Sequence, residues 1–92
     1  MITLEGALSL YEVDAARREI LQGFAAGTDI VLDLAQVNDC DCAGVQLLIA
    51  ARQTAVRRGL SFRIREASPV VTEACLRLGL NPAEALNLEM ES

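Results

Sequence analysis

Apolar and polar residues along the chain change period several times, and each change predicts an element. Ile2 to Leu8, carrying Gly6, reads as a short extended segment. From about Tyr11, Val13, Ala16, Ile20, Leu21 and Phe24 recur at helical spacing, so a first helix should lay one apolar stripe on a sheet and stop at Gly27. Ile30, Val31, Leu32 and Leu34 form a nearly continuous apolar run, interrupted by Asp33 and too short for a helix. That is the pattern of a central strand covered on both faces. A second helix is predicted over residues 43–58, with Gly44, Leu47, Leu48, Ala51 and Ala55 on one face and Gln46, Gln53 and Arg57 on another. Arg57 and Arg58 suit its last turn, where cations complement the helix dipole, and Gly59 is the stop.

Leu60, Phe62 and Ile64 alternate with Ser61, Arg63 and Arg65, which predicts a strand with one solvated face near the sheet edge. Ser68-Pro69 opens a third helix with a cap residue and a proline at the first helical position. Val71, Ala74, Cys75 and Leu78 are its expected buried side, and Gly79 its end. Asn81-Pro82 turns the chain, and residues 86–90 form either a short helix or a strand. The order strand, helix, strand, helix, strand, helix requires crossover connections, so the fold class is α/β: a small, mostly parallel β-sheet with right-handed crossovers and helices packed against it.

Ninety-two residues suit a single domain, and an apolar content of 52% is that of a packed globule. Only Tyr11, Phe24 and Phe62 are aromatic, so the core is built from aliphatic side chains. A net charge of −5 without any basic run excludes a nucleic-acid footprint, which needs clustered cations to displace counterions. All eight cations are Arg, and the absence of His removes histidine triads, neutral-pH proton relays and the common His-containing zinc sites. The opening MITLEGALSL lacks the basic flank and long apolar core of a signal peptide, and no apolar run approaches the ~20 residues of a membrane span. A cytoplasmic protein with no direct membrane insertion is therefore expected, its three cysteines reduced.

The most informative stretch is VLDLAQVNDCDCAGVQLLIAA, a buried strand running through a short loop into the second helix. Gly44 there permits close backbone approach, and the free amides of the helix's first turn carry a partial positive charge that favours an anion. Asp33-Leu34, Val37 and Asp41-Cys42-Ala43-Gly44, followed by Val45, Leu47 and Leu48, resemble the STAS domain family in its anti-sigma factor antagonist form. Leu4-Glu5-Gly6, Gly59, Ser68-Pro69 and Leu78-Gly79-Leu80 fall at further landmarks of that family, so the resemblance spans nearly the whole chain as one STAS domain over residues 1–92.

The resemblance implies a non-catalytic interaction module that switches partners. The partner it implies is a protein, typically an anti-sigma factor with a kinase-like ATP-binding fold. In such domains the first residue between Asp and Gly is often a phosphorylatable serine, whose charge disrupts partner binding. Cys42 stands at that position and Ala43 at the next, so the usual phospho-switch is expected to be missing. Asp39 and Cys40 occupy places the family usually gives to apolar residues, which leaves an acidic approach. The partner-binding loop is accordingly expected at Asn38, Asp39, Asp41, Cys42, Ala43 and Gly44.

Cys42 has two readings. It is a serine-shaped residue that locks the unphosphorylated state, or a redox thiol favoured by the helix dipole and opposed by Asp39 and Asp41. Cys40 and Cys42 lack the further ligands of a tetrahedral metal site, so neither metal nor cofactor is expected. Asp39 and Asp41 are more simply a solvated acidic loop than a catalytic acid and base, and a Cys42 nucleophile would lack a base. No enzyme is expected. Arg52, Arg57 and Arg58 are a solvated face or part of a partner surface beside the loop. An alternative within the fold is the cytoplasmic STAS subunit of a lipid-transporting ABC system, bound to its ATPase.

Overall fold

The computed structural model describes residues 2–9, 12–27 and 29–86. Its elements run β1 (Ile2–Leu8), α1 (Val13–Ala25), β2 (Ile30–Cys40), α2 (Cys42–Arg57), β3 (Phe62–Ala67), α3 (Pro69–Arg77) and α4 (Pro82–Ala85). Among the described residues the sheet has three strands in the order β1-β2-β3, and both neighbouring pairs are parallel. Each strand is joined to its neighbour by a helix, as parallel pairing demands.

The predicted central strand is central, but it is not covered on both faces. Leu32 is flanked by Ile2 and Ile64, and Ile30 by Phe62, and from these positions Ile30, Leu32, Leu34, Phe62 and Ile64 are buried. The intervening Val31, Asp33 and Ala35 are half-buried and Arg63 and Arg65 exposed. Crossovers of one hand advancing in one direction put α1 and α2 on the same side of the sheet. Among the described residues no helix packs on the other face, and the apolar core lies between sheet and helices.

The second departure is the length of β2. Residues 35–40, expected to be loop, continue the strand to Cys40, because Gln36, Val37, Asp39 and Cys40 pair with Glu5, Gly6, Ala7 and Leu8. The register shifts twice along this pair, and each shift inserts one extra residue into β2. The inward positions therefore step by three at each bulge, from Leu34 to Val37 to Cys40, all buried. Asp33 helps to set the first bulge, its Oδ1 accepting from the Ala35 amide at 3.0 Å.

α1 buries Ala16, Ile20 and Phe24, whereas Leu21 is exposed; its expected start near Tyr11 lies outside the described residues. α2 buries Gly44, Val45, Leu48, Ala51 and Ala55, with Leu47 half-buried. The Arg58 guanidinium lies 5.4 Å from the centre of the Phe24 ring and joins the ends of these two helices. α3 buries Val71, Ala74 and Cys75, but the expected Leu78 is 46% exposed. The helix ends at Arg77, and Leu78 is its C-cap, turned off the helical stripe just before Gly79 takes φ +75°.

Ser68 occupies the predicted N-cap position of α3 without capping it. The amides of Val71 and Thr72 bond to its backbone carbonyl, and its buried Oγ has no hydrogen-bond partner. Asn81-Pro82, expected only to turn the chain, opens a single helical turn, α4, capped by Asn81 Oδ1 accepting from the Ala83 amide at 3.0 Å. Leu86 follows fully buried, and residues 87–90 lie outside the described set.

Candidate functional site

The residues singled out in the sequence meet at the C-terminal ends of the parallel strands, where open α/β sheets ordinarily present their sites. β2 delivers Asn38 and Asp39 on its bulged last turn, both exposed because Val37 and Cys40 take the inward positions. They are strand residues at the rim of the sheet and not loop. A single residue, Asp41, separates Cys40 from α2.

Asp41 is the N-cap of α2. Its Oδ1 accepts from the Gly44 amide at 3.2 Å, and its carbonyl accepts from the Val45 amide at 3.2 Å. The first-turn amide expected to attract an external anion is thus taken by the chain's own carboxylate. The Asp41 amide in turn donates to the Leu8 carbonyl at 3.2 Å, which ties the helix start to the end of β1.

Gly44 makes this close approach possible. A Cβ there would collide with the Leu8 carbonyl oxygen and stand 2.9 Å from Leu8 Cβ and 3.0 Å from Cys40 Sγ. Only a residue without a side chain lets α2 start directly against two strand ends. Cys42, the first residue of α2, points to solvent, and Ala43 is half-buried beside it.

The three cysteines divide into two kinds. Cys40 and Cys75 are buried and Cys42 is exposed, and none is in a disulfide. Burial pushes the Cys40 thiol up to about 11, with Cys75, Asp41 and Asp39 adding to the rise, and burial raises the Cys75 thiol as well. Both are neutral, core-filling groups, so Cys40 does serve the apolar role expected at its position.

Asp39, Cys40, Asp41 and Cys42 also line a cavity of about 300 Å³ whose opposite wall is Ala74, Arg77 and Leu78 of α3 and its C-cap. The sequence reading missed this wall. Its signal was present in Leu78, an apolar residue directly before a helix-ending glycine, which the helical stripe assigned to the core. Among the described residues no group of three or more Cys, Asp or Glu side chains is placed to hold a metal ion.

A family model described as "Mlab, STAS domain" matches residues 1–88. The chain belongs to the STAS family. The match takes in every strand and helix above, and the parallel sheet with helices packed against it is the architecture expected of a STAS domain. Among curated proteins none matches the chain. A STAS domain is in general a regulatory or protein-interaction module, and in this one Asp41 to Gly44 form a capped helix start seated on β1. Among the described residues of the domain, no helix is long and apolar enough to cross a membrane.

Proposed function

We propose that this STAS domain is a non-catalytic docking module whose contact surface is the rim from Asn38 to Gly44 and the outward side of α2, and that it engages an ATP-binding-fold protein of the anti-sigma factor kind. The observation that supports this reading is the exposed Cys42 on a helix start held by its own cap and by close contact with β1. Asp41 caps the turn, Gly44 packs on β1, and the two acids of the rim, Asp39 and Asp41, line one cavity with Cys42, the one exposed thiol among the described residues. A surface already ordered before binding loses little entropy on docking.

Neither Cys42 nor Ala43 offers a hydroxyl for phosphotransfer. The module therefore binds constitutively or is controlled by other means, while a charge placed at residue 42 reproduces what a phosphate would do. The matching family is described by Mlab and not by anti-sigma factor antagonists, so a second partner class stands alongside, the ATPase of a lipid-transporting ABC system.

The experiment is co-purification with the ATP-binding proteins encoded beside the gene, using the native chain and Cys42→Glu. The native chain retains its partner and Cys42→Glu, folded to the same Tm, does not. Which protein is retained decides between the partner classes. Retention unchanged by Cys42→Glu sinks the assignment of the interface to this rim.

A further inference from the structure

The outward side of α2 continues well beyond its first turn. Cys42, Gln46, Ile49, Gln53 and Val56 follow one another at intervals of four, three, four and three residues, which keeps them on one side of a helix. The buried positions Val45, Leu48, Ala51 and Ala55 lie on another. From Cys42 to Val56 this outward stripe runs about 21 Å at ~1.5 Å per residue.

At its far end the stripe enters a cavity of about 420 Å³ between α2 and α4, lined by Ile49, Arg52, Gln53, Val56, Arg57 and Ala85. Val56 is 67% exposed there. Two guanidinium groups flank it, and both are bonded to neutral oxygens. Arg52 Nη1 donates to the carbonyl of Glu84 and, at 3.1 Å, to that of Ala85, while Arg57 Nη2 donates to Thr54 Oγ1 at 3.3 Å. Among the described residues neither arginine has a carboxylate partner, although the chain carries five more acids than bases.

We infer that this groove receives an acidic segment of the protein partner, which sets an aliphatic side chain against Ile49 and Val56 and carboxylates against Arg52 and Arg57. The inference rests on the docking reading above, because it supplies the partner that meets Cys42 with a second contact along the same helix face. The chemistry is complementary at each point. Arg52 is already oriented by α4, so a carboxylate meets a pre-set fork at small entropic cost. Removing Val56 from water adds a favourable apolar term, and a basic segment would be repelled by both arginines.

The test is an NMR titration of the isotope-labelled chain with an amphipathic peptide of about four helical turns, leucines on one face and glutamates on the other, and with its lysine-for-glutamate twin. The glutamate peptide is expected to shift the amides of Ile49, Gln53, Val56 and Ala85 and to weaken as salt is raised. Its affinity is expected to fall about tenfold or more in Arg57→Glu, the size of one reversed contact at a partly screened surface. The lysine peptide should leave those amides in place.

Equal shifts with both peptides overturn the inference, as do native affinity in Arg57→Glu, binding instead between α1 and α2 at Leu21 and Phe24, or no shift at all. Concentration-dependent shifts of the same amides without peptide also overturn it, because the occupant is then a second copy of the chain. Cys42→Glu keeps the two readings apart. Loss of the partner in Cys42→Glu with no peptide in the groove defeats only this inference, and peptide binding in the groove with the partner retained by Cys42→Glu defeats only the rim.

Discussion

Gly44→Ala is the substitution that bears hardest on how the site is held. In an exposed helix interior the change would stabilise, since alanine is better than glycine by about 0.8–1.0 kcal/mol. Here the new methyl group is driven into the Leu8 carbonyl oxygen, with Leu8 Cβ at 2.9 Å and Cys40 Sγ at 3.0 Å also too close. The obstruction is backbone, and that same carbonyl accepts the Asp41 amide, so it cannot move without loosening the helix cap. Overpacking of this kind costs about 1–3 kcal/mol, and a bond strained or lost at the cap adds about 1 kcal/mol. Set against the propensity gain, the net loss is about 1–3 kcal/mol. At ~4–8 °C per kcal/mol for a domain of this size, Tm should fall by about 4–24 °C.

Gly23→Ala is the control, because it is also a glycine inside a helix. A Cβ there meets only the flexible side-chain ends Ile30 Cδ1 at 2.8 Å and Ile2 Cδ1 at 3.2 Å, so its Tm should stay within a few degrees of the native value. Calorimetry or thermal circular dichroism reads both. A Gly44→Ala protein as stable as the native chain would refute the close approach of α2 to β1 and with it the rigid rim.

Three further outcomes follow from the cysteines and from Ser68. A thiol reagent at neutral pH should label one cysteine rapidly, Cys42, and reach Cys40 and Cys75 only in denaturant; fast labelling of all three in the native state would contradict their burial. Because the folded-state Cys40 thiol lies at about 11 against 9.0 for an ordinary one, the unfolded chain releases its proton first as pH rises. Stability should therefore be intact below pH 9 and decline between about pH 9 and 11, and the decline should be shallower in Cys40→Ala when chemical denaturation is followed across that range. Ser68→Ala should be neutral or stabilising by up to about 1 kcal/mol, since the buried hydroxyl it removes has no partner; a loss of 1 kcal/mol or more in urea denaturation would mean that Ser68 caps α3 after all.

Much of the fold was readable because its signals were local. Gly27, Gly59 and Gly79 all take positive φ at the helix ends they were assigned, and the apolar stripes of α1 and α2 bury nearly the expected residues. The parallel sheet followed from the alternation of elements. What escaped the sequence reading was non-local. A period-of-two pattern cannot register a strand whose inward residues are Leu34, Val37 and Cys40, because the threefold steps come from bulges fixed by the partner strand β1. That no described helix covers the second face of the sheet depends on where the two crossovers lie, which no residue of β2 announces. The cap at Ser68 failed because backbone carbonyls satisfied the amides its hydroxyl was expected to serve.

At the rim, Asp41, Cys42 and Gly44 were singled out through the family resemblance, and at these positions the structure has an N-cap, an exposed first residue and a contact that excludes a side chain. The α3 wall of the rim and the cationic groove beside Val56 arise from packing between elements distant in sequence. They could only be found in three dimensions.

The central claim, that the rim and the outward stripe of α2 together form the docking surface, is tested most directly by amide hydrogen exchange on the complex with the co-purifying partner. Slowed exchange is expected at residues 41–46 and again at 53–57, with β3 and α1 unchanged. Protection confined to α1 or β3, with exchange at residues 41–46 the same as in the free chain, would contradict it.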